Sequence, residues 1–531
     1  MTVVAKSGLS SVPTLGDVGL ATPLRDATDA GLAAVADGGN AIDAALTAAA
    51  FLTVAYPHNC AIGGDLLALV REPDGTTTFI NASGRSPQEL DVAKVRATHK
   101  SMPMTGPHSV TVPGLVSGWS AMHAKGASHT WSQTLQPAID AAEEGVTVSR
   151  GLAIALDSDW SSLSQNRGMR EVFAPDGELA TLGSQLRQPA LARTMRLLAD
   201  GGPDQLYLGD IGRELVDGLQ QLGCALTVQD LASHRVTEQT PLELSVDGWR
   251  VLTARPNSQG FVLLRLLGML NQVDEKDSLP LVERVPVGVL ANAFLQTIAE
   301  RDSILADPLA MRADVDGLLT KESLQALLDV SGLDQSIAAV KPRRRPDGDT
   351  VAVAAADADG RSVSLIQSVY YGFGSQLLEP VTGVVMHNRG SCFSLDPDSP
   401  NVLAPGKRPA HTLTPVLAER GDQRLAVGTM GGEMQPQILT QVLSRLFSGQ
   451  TPQQAVASPR WTAGPWDLED PPNSLSWEQD VHPGLASELA KWTGPRGELN
   501  PMSSRMGHAQ AVRVRGSAVE SGTDPRADPF V

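Results

Sequence analysis

The sequence predicts an α+β chain, and three observations carry that prediction. Residues 25–54 read as two helices joined at a double glycine. Residues 66–80 and 350–368 each read as a pair of strands around a turn. Most of residues 130–345 carries apolar side chains at helical spacing.

The elements follow in chain order. Arg25 to Asp37 is Ala-rich, and Gly38-Gly39 supplies a C-cap. Asn40 is placed to cap the next helix, with Asp43 in its first turn, where a negative charge is favourable. The apolar run Ala44–Tyr56 is too short to span a bilayer and reads as a buried helix. Leu66–Val70 and Thr76–Ile80 read as strands around Pro73-Asp74-Gly75, a turn signal. Segment 312–341 keeps a helical spacing. Lys341–Asp349 then breaks the pattern with Pro, Gly and charge, and reads as an exposed linker. After it, Thr350–Asp357 and Arg361–Ser368 flank Ala358-Asp359-Gly360, a three-residue hairpin loop with Gly where a left-handed conformation is wanted. Pairing Asp357 with Arg361 carries Thr350 opposite Ser368. Cross-strand neighbours have Cβ atoms about 5 Å apart, within reach of a hydrogen bond between the two hydroxyls.

Composition narrows the function. The 531 residues include 42 basic and 59 acidic ones, a formal charge of −17, which argues against a nucleic-acid surface. Residues 1–17 lack the basic start and apolar stretch of a secretory signal, and no segment reads as a membrane span. Cys60, Cys224 and Cys392 are odd in number and far apart, which speaks against a disulfide framework. A cytoplasmic location is the expectation.

The common catalytic motifs fail. There is no phosphate-binding loop, no HExxH, no CxxC and no serine elbow, so neither a metal nor an organic cofactor is expected. The linker, threonine and strand suggest another chemistry. A threonine hydroxyl is a weak nucleophile and needs an adjacent base. If the chain is cut between Asp349 and Thr350, the new α-amine can be that base, with an ordinary pKa of about 7.7–8.0. Ser368 would hold the hydroxyl from across the hairpin. The plainer alternative makes Thr350 only the start of a strand. Further on, Gly431-Gly432 precedes a helical pattern at Ile438–Phe447. Paired glycines there present backbone N–H groups suited to an oxyanion, or simply form a tight turn.

These residues, with others, resemble the γ-glutamyltransferase (γ-glutamyltranspeptidase) family of N-terminal-nucleophile hydrolases. Gly38–Ala45 is similar to the family's GGNAxDAA, and Pro57–Gly64 to its PHxSGIGGG. Val112-Pro113-Gly114, Leu226–Leu231, Asp307-Pro308, Ala404–Pro409, Gly431-Gly432 and Asp524-Pro525-Arg526 follow in the family's order. The resemblance implies a four-layer αββα sandwich and a precursor that cleaves itself. It implies a large subunit, 1–349, with the linker 341–349 at its end, and a small subunit, 350–531, that together form one globular unit. Thr350 aligns with the family's nucleophile, Ser368 with its hydroxyl partner, and Gly431 and Gly432 with its oxyanion glycines.

The substrate positions depart from the transpeptidase pattern. Tyr370 stands where the family has Asn. His387-Asn388-Arg389-Gly390-Ser391-Cys392 stands for NNQxDD, so Cys392 replaces the aspartate that meets the glutamyl ammonium. His411-Thr412 stands for the Ser-Ser pair, and Arg85 is the nearest arginine to the one expected on the α-carboxylate. An unpaired substrate ammonium is costly. Arg85, Arg389 and His411, with Tyr370 and Thr412, instead suit a small amide bearing a carboxylate. The pattern is similar to a side branch that includes cephalosporin-acylase-like members and oxamate amidohydrolase. The expectation is an autoprocessed threonine amidohydrolase acting on a small-molecule amide. Glutathione hydrolysis or γ-glutamyl transfer is the first alternative, and a non-catalytic binding relative the second. Further oligomerisation is left open.

Overall fold

The computed structural model describes residues 14–273, 279–332, 349–465 and 470–528. The linker residues 341–348 lie outside this set, and of Asp349 only the backbone is described.

The first helical pair forms as the sequence directs. Helix α1 (Arg25–Ala36) ends at Asp37, and Gly38 takes a φ of 92°. Helix α2 (Ala41–Ala55) begins with a reciprocal cap, in which the Asn40 side chain accepts from Ile42 N–H at 2.8 Å and Asp43 accepts from Asn40 N–H at 2.8 Å. Almost every side chain of α2 is buried.

Two sheets make the centre. The first contains β1 (Thr14–Leu15), β2 (Val18–Ala21), β3 (Asp65–Arg71), β4 (Thr77–Asn81), β5 (Thr237–Gln239), β8 (Asp349–Asp357) and β9 (Ser362–Tyr370), in the order β1-β2-β8-β9-β3-β4-β5. The second contains β6 (Leu242–Val246), β7 (Trp249–Thr253), β10 (Val416–Arg420), β11 (Gln423–Thr429), β12 (Ala509–Arg515) and β13 (Ala518–Thr523), in the order β13-β12-β11-β10-β7-β6. Strands β5, β6 and β7 correct the helical reading of residues 130–345. Asp247-Gly248 turns the chain there, with positive φ at both residues, and the alternation in β6 is that of a sheet with one face covered.

The layers follow from the two-residue period of a strand. Along β8, Ala352, Ala354 and Ala356 point into the core between the sheets, while Val351, Val353 and Ala355 point to the outer helices. The inter-sheet core also holds Leu67, Leu69, Ile366, Leu417, Ala426 and Val512. Helices α1, α2, α3 (Trp131–Glu144) and α4 (Pro189–Gly201) cover the first sheet. Helices α5 (Gly260–Leu270), α6 (Val287–Ile304) and α7 (Gln435–Phe447) cover the second. The result is the αββα sandwich. Among the described residues no helix is long and apolar enough to cross a membrane.

Candidate active site

The β8–β9 hairpin sets up the site. Val351 pairs with Gln367 and Ala356 with Ser362, so the register read from the loop holds along the ladder. Asp349 pairs with Tyr370, one step out of that register. Two residues, Ser368 and Val369, therefore oppose Thr350 alone, which makes a β-bulge. Bulges of this kind re-aim a side chain near functional sites. Val369 is drawn away from β8: its N–H donates to the Asn59 carbonyl at 3.0 Å, and its carbonyl accepts from Asn388 N–H at 3.1 Å.

The bulge brings the two hydroxyls together. Thr350 Oγ1 and Ser368 Oγ are 2.9 Å apart, and both residues are buried. Ser368 Oγ also accepts from Tyr370 N–H at 2.7 Å. Tyr370 reaches this position with a φ of 80°, uncommon for a bulky side chain.

The glycine pair lies where β11 gives way to α7. Gly431 has a φ of 133° and caps a short turn that begins at Gly432. The first N–H groups of such a turn have no partner within it. The loop is braced from below. Gln259 Nε2 donates to the carbonyls of Thr412 at 2.8 Å and Gly432 at 3.0 Å. Arg301 Nη1 donates to Gln259 Oε1 at 2.9 Å, and Arg301 Nη2 pairs with Glu433 at 2.8 Å.

Beside Ser368, in register on β3, stands Asp65. It is fully buried, and its Oδ1 accepts from Gly84 N–H at 3.1 Å. Its Oδ2 faces His411 Nε2 at 3.1 Å, His387 Nδ1 at 3.2 Å and Arg389 Nε at 3.5 Å. Burial alone would raise this carboxyl, but the two histidines overcome it and hold it well below the usual range. Leu413 N–H points at His411 Nδ1 at 3.4 Å, so the His411 proton sits on Nε2, toward Asp65. Burial, with Arg389 nearby, brings His411 down to about 4, so the ring is neutral at pH 7.

Arg389 reaches outward from Asp65. Its Nη1 lies 3.2 Å from Thr412 Oγ1 and 3.6 Å from Cys392 Sγ, and its Cζ lies 4.0 Å from the centre of the Tyr370 ring. Nε and Nη2 are both buried with no hydrogen-bond partner among the described residues, so Nε meets Asp65 as an ion pair only.

Two cavities flank these groups. One, of about 500 Å³, is lined by Tyr370, Cys392, Glu433, Lys100 and Met104. The other, of about 590 Å³, is lined by Tyr371, Gly431, Asn388, His58, His508 and again Met104. Burial pushes His58 down to about 3 and His508 to about 4, so both are neutral hydrogen-bonding groups.

Thr350, Ser368, Tyr370, Arg389 and Thr412 are thus linked contact by contact, His411 joins them through Asp65, and Gln259 ties Thr412 to Gly432 next to Gly431. Arg85 does not join them. Its Nη1 donates to Asp307 at 2.8 Å and to the Gly406 carbonyl at 2.9 Å, a pairing that ties two loops together. Arg389 is not a free wall residue either, because the Tyr370 ring covers it. Sequence reasoning missed Asp65, Lys100 and the Gln259–Arg301 brace. For Asp65 a signal existed, since PHxSGIGGG ends on a third glycine and this chain has Asp65 there.

A family model described as gamma-glutamyltranspeptidase matches residues 27–530. An oxamate amidohydrolase proenzyme of Klebsiella pneumoniae is 36% identical over 512 residues, covering 94% of this chain and 96% of that protein. A glutathione hydrolase-like proenzyme of Bacillus subtilis is 34% identical over 519 residues, covering 94% and 95%. Among solved structures, a cephalosporin acylase of Bacillus halodurans matches with a TM-score of 0.85 at 31% identity, covering 99% of this chain and 98% of that one.

Proposed function

The chain belongs to the gamma-glutamyltranspeptidase family of N-terminal-nucleophile enzymes, and on that premise we propose that it cuts itself before Thr350 and then hydrolyses a small carboxylate-bearing amide through an acyl–Thr350 ester. The relatives it matches over nearly their whole length carry enzyme names, which speaks against the binding-protein alternative.

The observation that carries the proposal is the Thr350–Ser368 contact of 2.9 Å at a bulge, with Tyr370 N–H bonded to the same serine oxygen. In the precursor, Thr350 Oγ1 attacks the Asp349 carbonyl carbon. The peptide C–N bond breaks, the nitrogen takes the hydroxyl proton, and an ester remains. Water then hydrolyses that ester. Residues 1–349 keep the new carboxylate, and Thr350 keeps a free hydroxyl and a free α-amine. In turnover the α-amine takes the Oγ1 proton as the oxygen attacks the substrate carbonyl. The N–H groups of Gly431 and Gly432 receive the oxyanion. Collapse expels the amine half with the transferred proton, and water releases the acid.

The two cavities suit the two halves of an amide. Tyr370 and Tyr371 line different cavities, as do Gly431 and Glu433, so the acyl half fits the Cys392 side and the amine half the His508 side. An acyl carboxylate is supported by Lys100, which is exposed and makes no ion pair among the described residues. It is also supported by the positive charge of Arg389, buried behind Tyr370 at the cavity wall. The γ-glutamyl alternative needs an anion for the substrate ammonium; of the two acids that line this cavity, Glu433 is already paired with Arg301, which leaves Asp396 for that role.

A denaturing gel tests the cleavage. Wild type is expected as two bands of about 37 and about 19 kDa, by residue share of 55.9 kDa, and Thr350→Ala as one. Wild type that stays intact after long incubation refutes the cut.

A further inference from the structure

Four positions that leave the γ-glutamyltranspeptidase pattern fall in three separate segments of the chain. Asp65 replaces the third glycine of PHxSGIGGG, His387 and Arg389 replace the first Asn and the Gln of NNQxDD, and His411 replaces the first residue of the Ser-Ser pair. The fold brings all four onto a single atom. His411 Nε2, His387 Nδ1 and Arg389 Nε lie 3.1, 3.2 and 3.5 Å from Asp65 Oδ2. None of these side chains reaches solvent.

Their mutual contact makes them one unit. A buried guanidinium is tolerated only when paired, and so is a buried carboxylate. Arg389 at the Gln position therefore requires an acid, and the glycine position next to Ser368 supplies it. With the acid on the Nε edge, the other edge of Arg389 is left to the acyl side. There it meets Thr412, Cys392 and Tyr370, three further positions that differ from the family pattern. In the family pattern an aspartate stands at position 392. Here the carboxylate lies behind an arginine instead, which reverses the polarity offered to the substrate.

We infer that Asp65 is a positioning residue for acyl specificity: its ion pair with Arg389 holds the guanidinium charge in place behind Tyr370, at the back of the cavity proposed for an acyl carboxylate. The inference rests on the carboxylate-bearing substrate proposed above. Asp65 touches no reacting atom in this account and acts through Arg389.

The test compares two nearly isosteric substrates, glutaryl 4-nitroanilide and pentanoyl 4-nitroanilide, on the full processed protein. The quantity read is the ratio of their kcat/KM values, which does not change with the fraction of folded enzyme. Asp65→Asn and Asp65→Gly are each expected to lower the glutaryl-to-pentanoyl ratio at least tenfold. Arg389→Gln is expected to lower it similarly, and adding Asp65→Asn to Arg389→Gln to lower it no further. A ratio within twofold of wild type in both Asp65 variants overturns the role, as does a further loss in the double variant. A wild-type ratio near one overturns the carboxylate reading itself, and is told apart because it appears before any substitution. If neither anilide turns over, calorimetric binding of glutarate against pentanoate gives the same ratio for the same variants.

Discussion

Acid should unfold this protein earlier than its carboxylates alone would dictate. Burial lowers His58 to about 3 and His234, His411 and His508 each to about 4. In the unfolded chain each returns to about 6.5. The folded values are the lower ones, so as pH falls the unfolded chain takes up protons first. The stabilisation is complete above pH 6.5 and is lost as pH falls toward 4. At pH 5 the loss is about 1.5 pH units at about 1.36 kcal/mol each, or about 2 kcal/mol per histidine. Four such groups give about 8 kcal/mol, comparable to the whole stability of an ordinary domain, about 5–15 kcal/mol. Asp65 and Asp524 do not add to this window, because their folded values lie below the usual carboxylate range and their contribution is lost only at lower pH. Urea unfolding followed by tryptophan fluorescence at pH 7, 6 and 5 measures the effect. The midpoint should fall steeply, with roughly three to four protons bound on unfolding at pH 5. A midpoint that is flat from pH 7 to 5, or an uptake below one proton, would refute the neutral, buried state of these histidines.

Ser368→Ala removes the oxygen that meets both Thr350 Oγ1 and Tyr370 N–H. It should slow self-cleavage on a timed gel and lower kcat about a hundredfold or more, with little change in KM. Gly431→Ala puts a Cβ 2.6 Å from Ile438 Cδ1 at a φ of 133°. It should shift the proposed oxyanion donor and cost about 10²–10³ in kcat, and full activity would remove Gly431 from the oxyanion site. Cys392→Asp should raise turnover of a γ-glutamyl anilide, but modestly, because Arg389 Nη1 already lies 3.6 Å from that position. The double change with Arg389→Gln should raise it further; no gain in either would count against the polarity argument.

The parts legible in the sequence were those fixed by local counting. Gly360 marks the hairpin loop, and counting back from Asp357–Arg361 places Thr350 against Ser368 without any tertiary information. Asn40 and Asp43 likewise announce their cap within a few residues. What escaped depends on distant pairs. Asp65 gains its meaning from Arg389 and His411, more than 300 residues away, and nothing near Asp65 hints at either. Arg85 looked like a ligand for the substrate because its partner, Asp307, lies 222 residues on. Strands β6 and β7 were read as helix because short apolar runs leave the period ambiguous. The partner β10 that draws β7 into the sheet lies beyond position 400.

The strand order has a consequence for how the molecule can come apart. Hairpin β8–β9, downstream of Thr350, is inserted between β2 and β3, both upstream of it; in the second sheet β7 from upstream lies against β10 from downstream. Before a cut at Thr350 refolding is a unimolecular event. After it, two chains must meet again, so recovery from denaturation becomes concentration-dependent and each fragment alone lacks neighbours for its central strands. The mature molecule would then persist by the slowness of its unfolding rather than by the ease of its return.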